Sequence, residues 1–257
     1  MKYIIICFLA FTVVSCSKSQ EQKLADIRDL EKSEDVSTEE GLEKLAELHE
    51  AYGLEYTDAE ANSFLYAAGQ YHFFEGNTAK AKELLTSYIE RDDSTERYRN
   101  AAINLARSYA KDSLFSESNK LISTLLDKDL PTAAQWQDII TIYQDKIKTN
   151  SDIQVTDYEK LTMAYTAVGR FQDAVGSLDN AINDFPEYEK RGNLLYRAGF
   201  IGWEYLKDTD VASKYYNQFL AEFPNDPKAA EVKQILESGM LTMSNEDILE
   251  MLKGKGK

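Results

Sequence analysis

The chain predicts an all-α fold, and three observations predict it. Apolar residues recur at one-face helical spacing along most of the length. No clear run alternates apolar and polar residues as a half-buried strand does, and only four prolines and twelve glycines are present to make β turns. Small residues suited to close helix contact, Ala81, Ser118, Ala174 and Ala212, follow one another at intervals of 37, 56 and 38 residues. A recurring period of roughly 20–50 residues is the mark of stacked helical repeats. With 43% hydrophobic residues in 257, the apolar surface suffices for a core of one or two domains.

The first element is a targeting segment. Lys2 precedes a 12-residue apolar run, Tyr3 to Val14, and Val13-Val14-Ser15-Cys16 follows. The run is too short for a spanning helix, which needs roughly 17–25 apolar residues, and has the layout of a secretory signal. These residues resemble the signal peptide and lipobox of bacterial lipoproteins. The resemblance implies that residues 1–15 are removed and that Cys16 is acylated, a lipid anchor holding the rest at a membrane. An ordinary secretory signal with a chance cysteine is the other reading. Cys7 lies in the segment to be removed, so the mature chain keeps no free thiol for a disulfide or a cysteine metal site. Ser17 is not the aspartate tied to inner-membrane retention in some bacteria, and no acidic cluster follows Cys16, which favours an outer-membrane anchor facing the periplasm.

Residues 16–36 read as a lipidated tether: Ser17 to Lys23 is polar, and Leu24, Ile27 and Leu30 keep helical spacing with little else apolar nearby. Ser37-Thr38-Glu39-Glu40 has the form of a capping box, Leu42, Leu45, Ala46 and Leu48 share a face, and Gly53 is a plausible stop. A repeat domain is expected over residues 37–237. Its clearest copy runs through Tyr158, Leu161, Tyr165, Gly169, Phe171, Ala174, Leu178, Ala181 and Pro186. This resembles the tetratricopeptide repeat (TPR), a helix–turn–helix unit. Thr162 departs from it, standing where a small Gly or Ala is usual. Leu65, Ala68, Gly76, Ala81 and Leu85 fit an earlier copy, with Thr78 in place of the turn aromatic. Leu105, Ala106, Tyr109, Phe115, Ile122 and Leu125 fit another. Ala212, Tyr216 and Pro224 belong to a last copy, whose first helix, Tyr196 to Leu206, needs one extra residue before the turn at Lys207-Asp208-Thr209-Asp210.

The 56-residue interval holds Thr132 to Lys148, a helix bearing Trp136, Ile139, Ile140 and Tyr143 that reads as irregular or unpaired. Asn225-Asp226-Pro227 places an N-cap before a proline at the first helical position, and Ser244 with Asp247 opens a short helix through Leu252. Residues 238–257 form this terminal helix and a tail. The resemblance covers roughly residues 58–237 and implies a right-handed α-solenoid of TPR-like repeats.

The chemistry is sparse. The two histidines, His49 and His72, have no metal-ligand neighbours in sequence. No nucleophile elbow or phosphate loop occurs, and Asp208 with Asp210 lacks the central Gly and closing Glu of a calcium loop. No catalytic residue, cofactor or metal is expected, and the protein is expected not to be an enzyme. The formal charge of −15 opposes nucleic acid, whose binding needs clustered Lys and Arg, and leaves basic partners open.

What remains is a binding surface. In TPR arrays the first helices of successive repeats line a groove, and carrying that over puts Tyr66, Gln70, Phe73, Arg107, Lys111, Met163, Tyr196, Phe200 and Trp203 on or near it. Such a surface suits a peptide or partner helix, although Tyr66, Phe73, Tyr196, Phe200 and Trp203 could equally pack between helices. The function expected is a membrane-anchored scaffold binding another envelope protein, the resemblance extending distantly to TPR lipoproteins of outer-membrane β-barrel assembly. A lipoprotein capturing a peptide, peptidoglycan fragment or glycan is the alternative, with Trp203 or Tyr66 as stacking platform. An envelope hydrolase would need a histidine–carboxylate or nucleophile–base pair assembled by the fold.

Overall fold

The computed structural model describes residues 18–91, 96–128, 131–149 and 152–254. Cys7, Cys16 and the targeting segment lie outside them. The described residues are all-α and TPR-like, with helix packing on neighbouring helix within each of two units. No helix among them is long and apolar enough to cross a membrane. The chain divides into two compact units, Met1–Asp92 and Asp93–Lys257.

The first unit contains α1 (Gln20–Glu31), α2 (Glu39–Glu55), α3 (Ala59–Phe74) and α4 (Thr78–Ile89), with a 3₁₀ turn at Glu34–Ser37. The stretch expected to be a tether is helical from Gln20. Ser19 caps α1, with Gln22 completing a capping box. Ile27 is buried with Tyr52, Ala61 and Phe64, Arg28 reaches Glu60 at 2.6 Å, and Gln20 reaches Asp58 at 2.6 Å. One apolar stripe plus polar ties to α2 and α3 hold a helix whose composition alone looks like linker.

The cap of α2 is Thr38, one residue later than expected, accepting from the Gly41 N–H at 3.1 Å. Gly53 does not stop this helix; it is buried inside it. A Cβ there would stand 2.8 Å from Leu65 Cγ, and one on Gly69 would stand 2.6 Å from Leu85 Cδ2. These glycines therefore let α3 pack closely on α2 and on α4.

The second unit contains α5 (Glu96–Lys111), α6 (Phe115–Lys128), α7 (Ala133–Lys148), α8 (Val155–Ala167), α9 (Phe171–Asp184), α10 (Arg191–Ile201), α11 (Thr209–Glu222), α12 (Ala229–Glu237) and α13 (Asn245–Gly254). A π-turn over Gly202–Leu206 extends α10. The α12 helix begins at Ala229, two residues beyond the expected proline start, because Asp226 first closes a turn by accepting from the Lys228 N–H at 2.8 Å. The α7 helix is neither irregular nor unpaired. Thr132 caps it in a capping box with Gln135, Ile139, Ile140 and Tyr143 are fully buried, Gln135 donates to Asn100 on α5 at 2.8 Å, and Gln144 donates to Tyr165 on α8 at 2.8 Å.

The repeat positions are occupied as their spacing requires. Ala81, Ser118, Ala174 and Ala212 are all 0% exposed. Thr162, the departure from the pattern, is buried because its hydroxyl turns back to the Tyr158 carbonyl at 2.7 Å; Ser177 on α9 donates to the same carbonyl at 3.0 Å. Five residues before each close-contact residue stands a left-handed residue: Gly76, Ser113, Gly169 and Lys207, with φ of 77°, 60°, 75° and 53°. This conformation lets the chain reverse between helices, and glycine alone adopts it freely.

Candidate functional site

In the second unit an open, largely apolar cavity of about 400 Å³ lies between α7, α8 and α10. Trp136 comes from α7, Met163, Thr166 and Ala167 from α8, Arg197, Phe200 and Ile201 from α10, and Tyr205 from the π-turn. Its size falls in the range of ligand pockets, roughly 300–1,000 Å³. Met163, Phe200 and Tyr205 are 45%, 36% and 47% exposed, an apolar cluster of the kind that marks interaction sites. Arg197 is the one charged residue among those lining the cavity.

Local sequence explains the wall. Met163, Thr166 and Ala167 stand at i, i+3 and i+4 on α8, and Arg197, Phe200 and Ile201 repeat that spacing on α10, so each trio shares a face. Tyr205 lies against Phe171, ring centroids 4.5 Å apart and 17° from parallel, and edge-on to Phe200 at 6.0 Å. Phe171 is the aromatic at the start of α9 that the repeat pattern places in the turn.

Of the nine groove residues expected from sequence, the fold brings Met163 and Phe200 together in this cavity. Trp203 is half-buried and packs toward the core. Tyr196 donates to Glu231 on α12 at 3.1 Å, and its ring lies near Tyr216 and Phe219. Arg107 pairs with Asp138 on α7 at 3.1 Å. Burial pushes the Asp138 carboxyl up, against the pull of Arg107. Lys111 is exposed at the end of α5. In the first unit Tyr66, Gln70 and Phe73 are half-buried along one side of α3, with Tyr66 5.2 Å from Tyr88 and Phe73 beside the exposed Phe74. Neither Trp203 nor Tyr66 thus offers a fully open stacking face. Trp136, Arg197 and Tyr205 went unassigned to the groove. Trp136 reads as core, and counting α10 as a regular helix hides Tyr205; the Arg197–Phe200–Ile201 spacing was available as a signal.

Two histidine–carboxylate pairs form that sequence spacing conceals. His49 Nε2 lies 3.3 Å from Glu31, its ring stacked on Phe64 at 4.4 Å. Burial pushes the imidazole below its ordinary pKa, outweighing Glu31. His72 lies 3.4 Å from Glu50, which also holds Lys80. Among the described residues no group of three or more His, Cys, Asp or Glu could hold a metal ion.

A buried polar network ties α6, α7 and α8. Lys146 donates to Asp157 at 2.6 Å, with their side chains 7% and 0% exposed. Asp157 also accepts from Asn119 at 3.1 Å and from the Gln154 N–H at 2.7 Å, and Tyr143 donates to Asn119. Burial raises the Tyr143 phenol strongly and lowers the nearby Lys160 ammonium.

A tetratricopeptide-repeat family model matches residues 191–226, which are α10, the π-turn, α11 and the turn as far as Asp226. The match falls on the copy with the extra residue and takes in half the cavity lining, next to the copy at 158–186 whose residues fit the repeat pattern most fully. No curated protein matches the chain.

Proposed function

We propose that the protein is a non-enzymatic docking scaffold of the bacterial envelope, anchored through a lipidated Cys16, that seats an apolar side chain of a partner protein in the cavity between α7, α8 and α10. The observation that carries this reading is the exposed cluster of Met163, Phe200 and Tyr205 around an open cavity. The repeat match supports protein–protein interaction in general. The finer elements, an outer-membrane anchor facing the periplasm and a part in outer-membrane protein assembly, rest on the sequence resemblances alone.

The occupant that suits the site is an aromatic side chain with a carboxylate beside it. Aromatic walls offer it stacking partners, and Arg197 offers a local counter-charge at the cavity wall. The test places a photoreactive residue at Met163 or Phe200 of the full chain in intact envelopes. One recurring protein adduct that disappears with Phe200→Glu in a Met163-labelled chain is expected. Adducts unaffected by that substitution would remove the cavity from the reading. Palmitate labelling abolished by Cys16→Ala, with release from the membrane fraction, tests the anchor separately.

A further inference from the structure

Of the four left-handed turns that precede the close-contact residues, three are built alike. The residue after the left-handed one donates its N–H to a carbonyl five positions back: Asn77 to His72 at 2.9 Å, Leu114 to Tyr109 at 2.9 Å and Arg170 to Tyr165 at 2.8 Å. In the fourth, Asp208 donates to Gly202, six positions back, at 2.9 Å, and the Lys207 N–H goes to the same carbonyl. Burial gives the same count. Buried Tyr158, Leu161 and Ala164 of α8 recur 37 residues on as Leu195, Ala198 and Ile201 of α10, whereas the left-handed Gly169 and Lys207 lie 38 apart. The α10 copy therefore carries one additional residue between Gly202 and Lys207, stored as the π-turn. Single π-turns inside α-helices are rare and concentrate at functional sites.

The insertion is locked in place. A Cβ on Gly202 would stand 2.7 Å from Val211 Cγ1 and 2.9 Å from the Ala212 nitrogen, so the helix cannot slide along α11 to absorb the residue elsewhere. Its consequence is at the cavity. The α8 copy has Thr166, Ala167 and Val168 between Tyr165 and Gly169. The corresponding stretch of α10 holds four residues, and the third is Tyr205, whose ring joins the cavity wall between Phe171 and Phe200.

We infer that the π-turn is a specificity-determining insertion: the one added residue plants Tyr205 in the cavity wall, so that the cavity selects an aromatic side chain with a carboxylate beside it, presented by a partner protein. This rests on reading the cavity as a docking site, and the experiment separates the two. The probe is 1-anilinonaphthalene-8-sulfonate, a flat aromatic anion, titrated by fluorescence into the full mature chain, with Phe200→Glu defining signal from elsewhere. Deletion of Glu204, which returns the copy to a 37-residue interval, is expected to weaken the cavity signal by about tenfold or more, as is Tyr205→Ala. Because the deletion could unfold the chain, circular dichroism accompanies it, and a length-preserving variant, Glu204→Tyr with Tyr205→Ala, moves the ring by one position. That variant is expected to stay as weak as Tyr205→Ala, while Lys207→Gly, which keeps the π-turn, is expected to bind like wild type. Wild-type binding by a folded Glu204 deletion, or recovery in the moved-ring variant, would overturn the inference and leave the docking site standing. A wild-type signal that Phe200→Glu does not touch would sink both.

Discussion

Replacing Lys146 by methionine strips Asp157 of its hydrogen-bonded counter-charge while preserving most of the side chain's volume; Lys160, which donates to Ser123, makes no bond to the aspartate. The aspartate is fully buried and keeps only its bonds from Asn119 and the Gln154 N–H. Removing one member of a buried pair leaves an uncompensated charge and costs about 3–5 kcal/mol. For a unit of this size each kcal/mol moves the midpoint by roughly 2–4 °C, so the expected loss is about 6–20 °C. Lys214 provides the comparison. It pairs with Asp179 at 3.0 Å, but the two side chains are 58% and 37% exposed, so Lys214→Met is expected to cost at most about 1 kcal/mol. Thermal and urea unfolding of both variants measures the contrast. Adding Asp157→Asn to Lys146→Met removes the stranded charge and keeps an acceptor for Gln154, and should recover most of the loss. A Lys146→Met midpoint within about 2 °C of wild type would refute the reasoning, because it would mean that water reaches Asp157 in solution.

Other outcomes follow from the same geometry. Gly169→Ala has open space around its new methyl but a φ of 75°, and should destabilise by about 1–2 kcal/mol, whereas Gly176→Ala, in open space within α9, should stabilise by about 0.5–1 kcal/mol; equal effects in denaturant titrations would contradict the turn geometry. Ala174→Phe overpacks a fully buried contact and should cost about 1–3 kcal/mol, an unchanged midpoint meaning that α8 and α9 do not meet there. Burial holds the His49 pKa below its ordinary value, despite Glu31 and with Arg28 adding to the depression. The unfolded chain therefore takes up this proton first, and His49's contribution, complete above about pH 6.5, is lost as pH falls toward the folded-state value. His49→Gln should flatten the dependence of the midpoint between pH 7 and 5; an unaltered slope would assign it to other groups.

The repeat architecture was legible because its signals are local. A small residue at each close contact and a glycine in two of the turns survive as letters in the chain. Ser113 and Lys207 do the same work as Gly76 and Gly169, but a serine or lysine in a left-handed turn carries no visible mark, which is why two copies look weaker than they are. Gly53 was misread for the opposite reason: glycine signals both a helix stop and a close approach, and only the position of Leu65 distinguishes them. The α1 helix was legible only as the spacing of Leu24, Ile27 and Leu30, within a stretch read as a tether, because its hold on α2 and α3 is largely polar and non-local. Both histidine–carboxylate pairs are likewise products of packing, joining residues 18 and 22 positions apart across helices.

Two of the eight residues lining the candidate site were legible, and the miss of Tyr205 has a cause of its own. Met163 and Phe200 followed from helical register, but register is a count of residues per turn, and the π-turn changes that count after Gly202. The spacing announces an extra residue before Lys207 without saying whether the chain stores it as a loop, a bulge in the helix or a longer turn. Gly202 removes the first option by pressing the backbone onto Val211 and Ala212, and the Asp208 N–H, still reaching back to Gly202, removes the last. What remains is a widened helical turn, which rotates every later side chain relative to a regular helix and brings Tyr205 to the cavity. Local rules are expected to fail where function has claimed a position. Here the added residue, the exposed aromatic wall and the segment similar to the tetratricopeptide repeat coincide on one helix, which supports the cavity as a partner site more than the repeat similarity alone would.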